Sequence, residues 1–318
     1  MVTDNYRQIS RRHFIASTGM LAAGLWLSPK SLLAQEESPV FAIKRAASAA
    51  KITVTKLRNN ICLLEGAGGN IAVLSGNDGK LMVDSGIDVA GPHVMAALNS
   101  INPDPVKHLL NTHWHFDHTG GNTWLRKTGA TITAQDITRK HMKSTIRQED
   151  WHFTFKPAPP DALPSILYKN RLVLHINAET IHIKTYEPAH TDGDSSVYFE
   201  DADVLHVADT FWNSYYPMID YSSGGNIDGM VRAAQKNIDM ATDKTIVIPG
   251  HGALGNKDHL IAYHEMLITI RENVARLKRQ GNSLKETIAA KPTAAYDSKW
   301  GAFLITGDFF TMLVYKGV

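Results

Sequence analysis

Cysteine is almost absent from this chain of 318 residues: Cys62 is the only one. A chain with one cysteine has no internal disulfide, so its stability must come from its apolar core and from any metal that it binds. Cys62 lies in the strand-like run 61–64 and is most simply interpreted as a small core residue.

The chain also lacks internal repeats, low-complexity tracts and, beyond residue 34, any run of about twenty apolar residues. These absences exclude a repeat array and a membrane-spanning helix in the body of the chain. Hydrophobic residues make up 43% of the sequence, enough for a sizeable core in one large or two small domains.

An excess of positive charge is missing as well. The full chain has a net charge of +2, but residues 1–34 hold four basic residues and one acidic residue, which leaves −1 for the remainder. A near-neutral surface offers no electrostatic footprint for nucleic acid, so we expect no nucleic-acid partner.

The first 34 residues have the features of a twin-arginine signal peptide. Arg11 and Arg12 precede a short apolar stretch, 16–27, and Ala34 stands at a plausible cleavage point. We therefore expect cleavage after Ala34, export by the twin-arginine machinery to the periplasm or beyond, and a linker over 35–50. The alternative is a membrane anchor. The apolar stretch is short for spanning and contains Ser17-Thr18-Gly19, so we expect no stable anchor.

Short apolar runs bounded by turn residues predict a mixed α and β fold. Strands are predicted at 52–55, 61–64, 71–75, 80–83, 106–110, 131–133, 172–176, 181–186, 196–200, 204–207 and 245–248. Helices are predicted at 88–97, 119–128, 135–148 and 228–240, and the tail from 255 to 318 is expected to be helical. Ser283 and Glu286 have the spacing of a capping box within that tail.

The most informative segment follows the predicted strand 106–110 and contains three histidines and an aspartate: His113-Trp114-His115-Phe116-Asp117-His118. On an extended chain, residues two apart point the same way, so His113, His115 and Asp117 would converge and His118 would turn away. Neutral imidazoles and a carboxylate suit zinc, and chance rarely produces this spacing. The segment therefore predicts a metal site.

This segment and the Thr119-Gly-Gly-Asn122 after it resemble the metallo-β-lactamase superfamily. Further residues match the later motifs of that family in order, each after an apolar stretch: His190 in 187–194, Asp209 in 207–210 and His251 in 248–252. An early strand ending at Asp84 resembles another family motif, and the resemblance covers about 51–252.

The resemblance implies a four-layer αβ/βα sandwich over 51–318, with 255–318 as a C-terminal helical extension. It also implies two zinc ions, one held by His113, His115 and His190, the other by Asp117, His118 and His251, with Asp209 bridging them. Such a site carries net positive charge, which makes hydroxide available from a bridging water. Asp117 would orient that hydroxide as the catalytic residue. Asp84 would hold a ligand imidazole by its far N–H or, alternatively, cap its strand.

Departures from branches of the family narrow the expected activity. The commonest true β-lactamases have Cys at the position of Asp209, often with Lys three residues later, where this chain has Trp212. Flavin-linked di-iron members have an acid in place of His115. We therefore expect an exported zinc-dependent hydrolase that uses a metal-bridging hydroxide to cleave a small ester, lactone, thioester or amide. The alternatives are a true β-lactamase, a mononuclear iron oxygenase similar to persulfide dioxygenase, and a non-catalytic metal-binding protein.

Three aromatic residues are candidates for the substrate pocket: Trp212, Tyr215 and Tyr216. They follow Asp209 on a segment ended by Pro217, and loops at strand ends often build such sites. Their rings offer apolar area but no cation, so the expected substrate is small and mostly apolar. Trp114 and Phe116 alternate with the ligands and are expected to pack beneath the metals. The substrate and the oligomeric state stay open.

Overall fold

Fourteen strands are assigned in the part of the chain that the computed structural model describes, residues 38–318. They are β1 (Thr53–Lys56), β2 (Ile61–Glu65), β3 (Ile71–Leu74), β4 (Lys80–Val83), β5 (Val106–Asn111), β6 (Thr131–Gln135), β7 (Ile146–Gln148), β8 (Phe153–Phe155), β9 (Ile166–Tyr168), β10 (Arg171–Ile176), β11 (Glu179–Thr185), β12 (Ser195–Phe199), β13 (Val204–Trp212) and β14 (Ile246–His251). The predicted signal peptide lies outside the described residues.

Ten α-helices accompany these strands in the same described range. They are α1 (Pro39–Ser48), α2 (Gly91–Ile101), α3 (Phe116–Thr119), α4 (Asn122–Lys127), α5 (Asp136–Met142), α6 (Ile227–Met240), α7 (Lys257–Arg279), α8 (Leu284–Ala289), α9 (Asp297–Trp300) and α10 (Gly307–Gly317). From residue 38 onward, none of the helices combines the length and apolar character needed to cross a bilayer.

The strands form two mixed sheets and one short hairpin. The first sheet has the order β1-β2-β3-β4-β5-β6-β9, antiparallel up to β4 and parallel after it. The second has the order β10-β11-β12-β13-β14, with only the β13–β14 pair parallel. Strands β7 and β8 pair with each other in the hairpin.

Three apolar clusters between these layers show the sandwich. Side chains alternate along a strand, so in β4 Leu81 and Val83 face the second sheet while Met82 faces the outer helices. One cluster joins the two sheets, a second joins the first sheet to α2 and α4, and a third joins the second sheet to α6, α7 and α10. The order of layers is therefore helix, sheet, sheet, helix, the predicted αβ/βα arrangement.

Two predicted segments differ in the structure. The predicted helix 135–148 ends at Met142, and the chain then forms the hairpin strand β7. The predicted linker 35–50 contains helix α1, which Ser38 caps and Pro39 begins. Val40 is fully buried and Lys44 pairs with Asp88 at 2.9 Å, so α1 packs on the domain and is no linker.

The C-terminal extension is helical, as predicted, and is part of the core. Helix α7 has 23 residues, and both hydrogen bonds of the Ser283–Glu286 capping box are present at α8. Phe310, Leu313 and Val314 of α10 are fully buried against the second sheet's outer cluster. This last helix was not separately predicted within the tail.

Candidate metal centre

Seven side chains meet where strands of both sheets end. His113 and His115 lie in the loop after β5, and His190 lies in the loop after β11. Asp209 lies within β13, and His251 is the last residue of β14. Strand ends position these groups because the strands themselves are held in the core on both faces.

The remaining two predicted ligands, Asp117 and His118, lie on α3. This helical turn corrects the expectation of an extended chain in which Asp117 joins His113 and His115. Adjacent residues on one helical turn are only about 100° apart, so their side chains can reach one point. The structure accordingly places Asp117 and His118 in one group and the two earlier histidines in another.

The first group contains His113, His115, His190 and Asp209, all buried, with one ligand atom from each within 4.8 Å of the others. His190 Nε2 lies 2.9 Å from Nδ1 of His115 and 3.4 Å from Oδ2 of Asp209. His113 Nε2 lies 4.0 Å from the same carboxylate oxygen. Three imidazoles and a carboxylate are a common zinc donor set.

The second group contains Asp117, His118 and His251. Asp117 Oδ2 lies 3.3 Å from Nε2 of His251 and 3.7 Å from Nε2 of His118. The side chains of Asp117 and His251 are 14% and 12% exposed, whereas His118 is fully buried. The centre therefore opens to solvent on the side of Asp117 and His251.

Asp209 contacts both groups. Its Oδ1 lies 3.0 Å from Nε2 of His118, and its Oδ2 lies 3.5 Å from Nε2 of His251 as well as near the first group's histidines. A bulge in β13 places it there: the pairing with β14 shifts register after Ala208, whose φ of +47° is left-handed. The bulge allows one carboxylate to reach both groups.

The donor atoms fit metal ions. Four buried atoms facing the centre have no hydrogen-bond partner among residues 38–318: Nε2 of His113, His118 and His251, and Oδ1 of Asp209. Buried polar atoms are almost always paired, and a set of unpaired ones aimed at one point is explained by a bound ion. Five imidazoles and two carboxylates suit zinc, with either group offering enough ligands for one ion.

Close backbone approach keeps this centre compact. A Cβ on Gly69 would lie 2.2 Å from Cε1 of His118, and a Cβ on Gly250 would lie 2.0 Å from Oδ1 of Asp209. No side chain fits at either position without displacing a predicted ligand.

Charges within the centre strongly shift its pKa values. Burial raises the pKa of Asp209, but His118, His251 and His190 outweigh burial and hold it well below its ordinary value. Burial also raises the pKa of Asp117, but His118 and His251 outweigh burial and lower it to about 2. Burial lowers the pKa of His251, yet Asp209 and Asp117 raise it to about 9. Both acids are therefore carboxylates at neutral pH, the form that binds metal.

Neighbouring residues hold the far nitrogens of the histidines. His118 Nδ1 donates to Oδ2 of Asp84 at 2.8 Å, and Thr112 links His113 to the same carboxylate. The role expected for Asp84 is thus present in the structure's geometry. His190 Nδ1 donates to the Met218 carbonyl at 2.8 Å. These bonds fix which nitrogen faces the centre.

Asp220 does the same for His115, and the sequence did not point to it. Its Oδ2 accepts from Nε2 of His115 at 2.9 Å, and its backbone N–H donates to the His190 carbonyl. Asp220 is buried and also accepts from the hydroxyls of Ser222 and Ser223. Burial raises its pKa, but the hydrogen bond from His115 reverses that effect and lowers it. The only trace in the sequence is an Asp-x-Ser-Ser turn, which ordinarily indicates a cap.

The three residues predicted to line the substrate pocket have different surroundings in the structure. Trp212 is only 3% exposed, but its ring lies 4.3 Å from the His251 ring; half-buried Tyr215 lies beside Gly252, the residue after His251. Tyr216 is wrong as a pocket residue. It is fully buried, its hydroxyl bonds to Asp297, and its ring stacks on Phe310 at 4.7 Å, so it packs in the core.

Trp114 and Phe116 pack away from the donor atoms, as expected. Trp114 is buried, and its Nε1 donates to the hydroxyl of Ser223 at 3.0 Å. Phe116 is half-buried and stacks on Phe155 at 5.5 Å. His264, which belongs to none of the family motifs, lies half-buried on α7, outside both groups.

Comparison with known proteins agrees with this arrangement. The family model described as "Metallo-beta-lactamase superfamily" matches residues 64–251. DIM-1 metallo-beta-lactamase is similar in structure with a TM-score of 0.56 at 21% identity, covering 69% of this chain and 98% of that one. A metallo-beta-lactamase from Pontibacter korlensis has a TM-score of 0.56 at 16% identity, covering 68% and 99%. The sec-alkylsulfatase Pisa1 from Pseudomonas sp. has a TM-score of 0.61 at 15% identity, covering 83% and 50%. At these identities the structural likeness shows the fold.

Proposed function

Because the chain belongs to the metallo-beta-lactamase superfamily, we propose that it is a binuclear zinc-dependent hydrolase of a small neutral ester, lactone, thioester or amide. One observation carries the proposal: Asp209 directs one carboxylate oxygen at His118 and the other at the histidines of the first group. A single carboxylate in contact with two donor groups supports two ions that share a ligand, since seven ligands exceed the need of one tetrahedral ion.

The residues of the centre have different proposed roles in binding the ions and in orienting water. His113, His115, His190 and Asp209 would hold one ion, and Asp117, His118 and His251 would hold the other with Asp209 shared. When bound, the ions would lower the pKa of a nearby water and polarise the substrate carbonyl. Asp117 is a carboxylate on the solvent side of the centre, so the oxygen that holds no ion is available to accept a hydrogen bond from that water and orient it.

Neutral substrates suit the entrance. Trp212 stands three residues after Asp209, and its uncharged, largely buried indole lies 4.3 Å from the ring of His251. An uncharged indole cannot pair with a drug carboxylate, so we propose that penicillins and carbapenems are hydrolysed far more slowly than neutral esters or lactones. Because one neighbour in structure is named a sec-alkylsulfatase, alkyl sulfates belong in the same substrate panel.

The experiment is a panel assay with zinc-loaded protein on esters, lactones, thioesters, alkyl sulfates and β-lactams, together with elemental analysis. We expect close to two zinc ions per chain. A single iron would instead support the oxygenase alternative, and a higher kcat/KM for a β-lactam than for every ester and lactone would support the β-lactamase alternative. A metal-loaded protein inactive on the whole panel would contradict the hydrolase.

Asp209→Ala tests the shared ligand. Removing the carboxylate should lower turnover on the order of a hundredfold or more and reduce the bound zinc, while the chain stays folded. His264→Ala is the control, since His264 lies on α7 outside both donor groups. Equal activity of the two variants would show that the ligand assignment is wrong.

A further inference from the structure

Two consecutive large apolar residues, Phe303 and Leu304, are exposed in the segment between α9 and α10. They are 44% and 39% exposed, although their neighbours Trp300 and Ile305 are each 2% exposed. The segment is therefore anchored in the core on both sides while it presents two apolar side chains to solvent. The segment lies outside residues 64–251, the part matched by the family model.

Tyr216 attaches this segment to the loop that follows β13. Its backbone N–H donates to the Trp300 carbonyl at 2.8 Å, and its hydroxyl donates to Oδ1 of Asp297 at 3.0 Å. Its ring stacks on Phe310 of α10 with an interplanar angle of 10°. The tail is thus held in place on both sides of Phe303 by a residue only seven positions after Asp209.

This attachment brings Phe303 to the open side of the metal centre. Its ring lies 4.7 Å from the Tyr215 ring and 6.4 Å from the Trp212 ring. Trp212 in turn lies 4.3 Å from the ring of His251, one of the two more exposed ligands. Buried Trp212, half-buried Tyr215 and exposed Phe303 therefore form an aromatic wall that runs from a predicted metal ligand outward to solvent.

We propose that the accessible part of this wall, Phe303 and Tyr215 with the neighbouring Leu304, binds an alkyl or acyl chain of several carbons attached to the scissile group. The substrate class is then a neutral ester, thioester or lactone with a medium-length chain. This inference rests on the proposed function for the position of the scissile bond. Each methylene that the wall buries increases affinity about fourfold, so a wall of this kind selects by chain length.

A series of p-nitrophenyl esters from acetate to octanoate tests the wall on the zinc-loaded protein. We expect kcat/KM to rise with chain length in the unmodified protein. Phe303→Ala should lower it for the octanoate about tenfold, through KM, and for the acetate by much less. Phe303→Leu should keep most of the preference. Val173→Ala is the matched control, since Val173 is 45% exposed on β10 and apolar.

A binding experiment distinguishes an error in the proposed aromatic wall from an error in the proposed hydrolase function. Octanehydroxamic acid and acetohydroxamic acid have the same metal-binding head group and differ in their alkyl chains. Calorimetry on the zinc-loaded protein therefore measures the contribution of the alkyl chain to affinity. Tighter binding of the longer compound, lost in Phe303→Ala, supports the wall even if no ester is hydrolysed. Equal affinities overturn the wall while leaving the metal centre intact. If neither compound binds and no ester is cleaved, both proposals are wrong.

Discussion

Every buried histidine of the first donor group has one nitrogen directed at the centre and the other held by a neighbour. Asp220 holds His115, the Met218 carbonyl holds His190, and Thr112 holds His113. An imidazole that is fixed in tautomer and orientation needs no reorganisation to bind a metal, and the acceptor makes it a better ligand. The partners of the ligands therefore contribute to metal affinity although they do not touch the ion.

Asp220→Ala should lower the zinc affinity of the first group about 10- to 100-fold, because His115 loses the acceptor that orients it. Competition against a chromogenic chelator measures this affinity. Asp220→Asn keeps the shape and one acceptor oxygen and should lose less. Asp243→Ala, at an exposed position, is the control. Unchanged affinity in Asp220→Ala would mean that the hydrogen bond is only structural.

Zinc binding should release protons. Asp209 and Asp117 raise the pKa of His251 to about 9 against the opposing effect of burial, and His118 is raised well above its ordinary value in the same way. Zinc requires neutral imidazoles, so binding at pH 7 should release about two protons per chain. Calorimetry in buffers with different ionisation enthalpies counts them. Binding without proton release at pH 7 would contradict this coupling.

The same shift has a sign for stability. The pKa of His251 in the folded chain lies above the ordinary 6.5. Its ion pairs with Asp117 and Asp209 therefore contribute their full stabilisation to the metal-free protein at pH values below 6.5. That stabilisation decreases as the pH rises through about 9. Apparent zinc affinity changes in the opposite direction and should increase until His251 is deprotonated.

At the scale of elements, neighbouring residues of the C-terminal extension have different roles: some pack in the core and others are exposed. Helix α10 packs into the apolar cluster that covers the outer face of the second sheet, and Phe303 in the segment before it contacts Tyr215. Core residues act on stability because their removal leaves a cavity, whereas exposed residues act on what they bind.

The same substitution, Phe to Ala, at a buried and at an exposed position distinguishes the role in stability from the role in binding. Phe310→Ala should destabilise the protein by about 3–5 kcal/mol, because Phe310 is fully buried against Tyr216. Phe303→Ala should cost less than about 1 kcal/mol, because Phe303 is largely exposed. Urea unfolding at a fixed zinc concentration measures both. Similar losses would show that the 301–306 segment is a core element.

At the scale of the whole molecule, the sandwich explains why distant residues form one centre. The loop after β5 belongs to the first sheet, and His190, Asp209 and His251 belong to the second. The predicted ligands therefore join the two halves of the chain, so on the proposed function removal of the metal should loosen the contact between the sheets as well as remove activity.

We also propose that the folded molecule is exported. The motivation is Arg11-Arg12 before a weak apolar stretch, in residues outside the described range. Replacing both arginines with lysine should retain an uncleaved precursor in the cytoplasm, and the unmodified chain should begin near Gln35 in the periplasm. Fractionation followed by N-terminal sequencing measures both. Unimpaired export of the lysine variant would contradict a twin-arginine route.

The sequence by itself determined the family, the layered architecture and the set of side chains that meet at the centre. It did so because the ligands stand directly after apolar runs, and strand ends with turn residues are local patterns. The grouping within the motif came from the resemblance and not from strand geometry: α3 turns Asp117 toward His118, whereas an extended chain would have turned it toward His113 and His115.

Only the tertiary structure decided the surroundings of the centre. Asp220 is 105 positions from His115, and Phe303 is 91 from Trp212, so no spacing rule connects them. Tyr215 and Tyr216 are adjacent and chemically alike, yet Asp297 and Phe310 draw Tyr216 into the core. Which of two neighbouring tyrosines is buried depends on what packs over the loop, and here that is a tail more than eighty residues away.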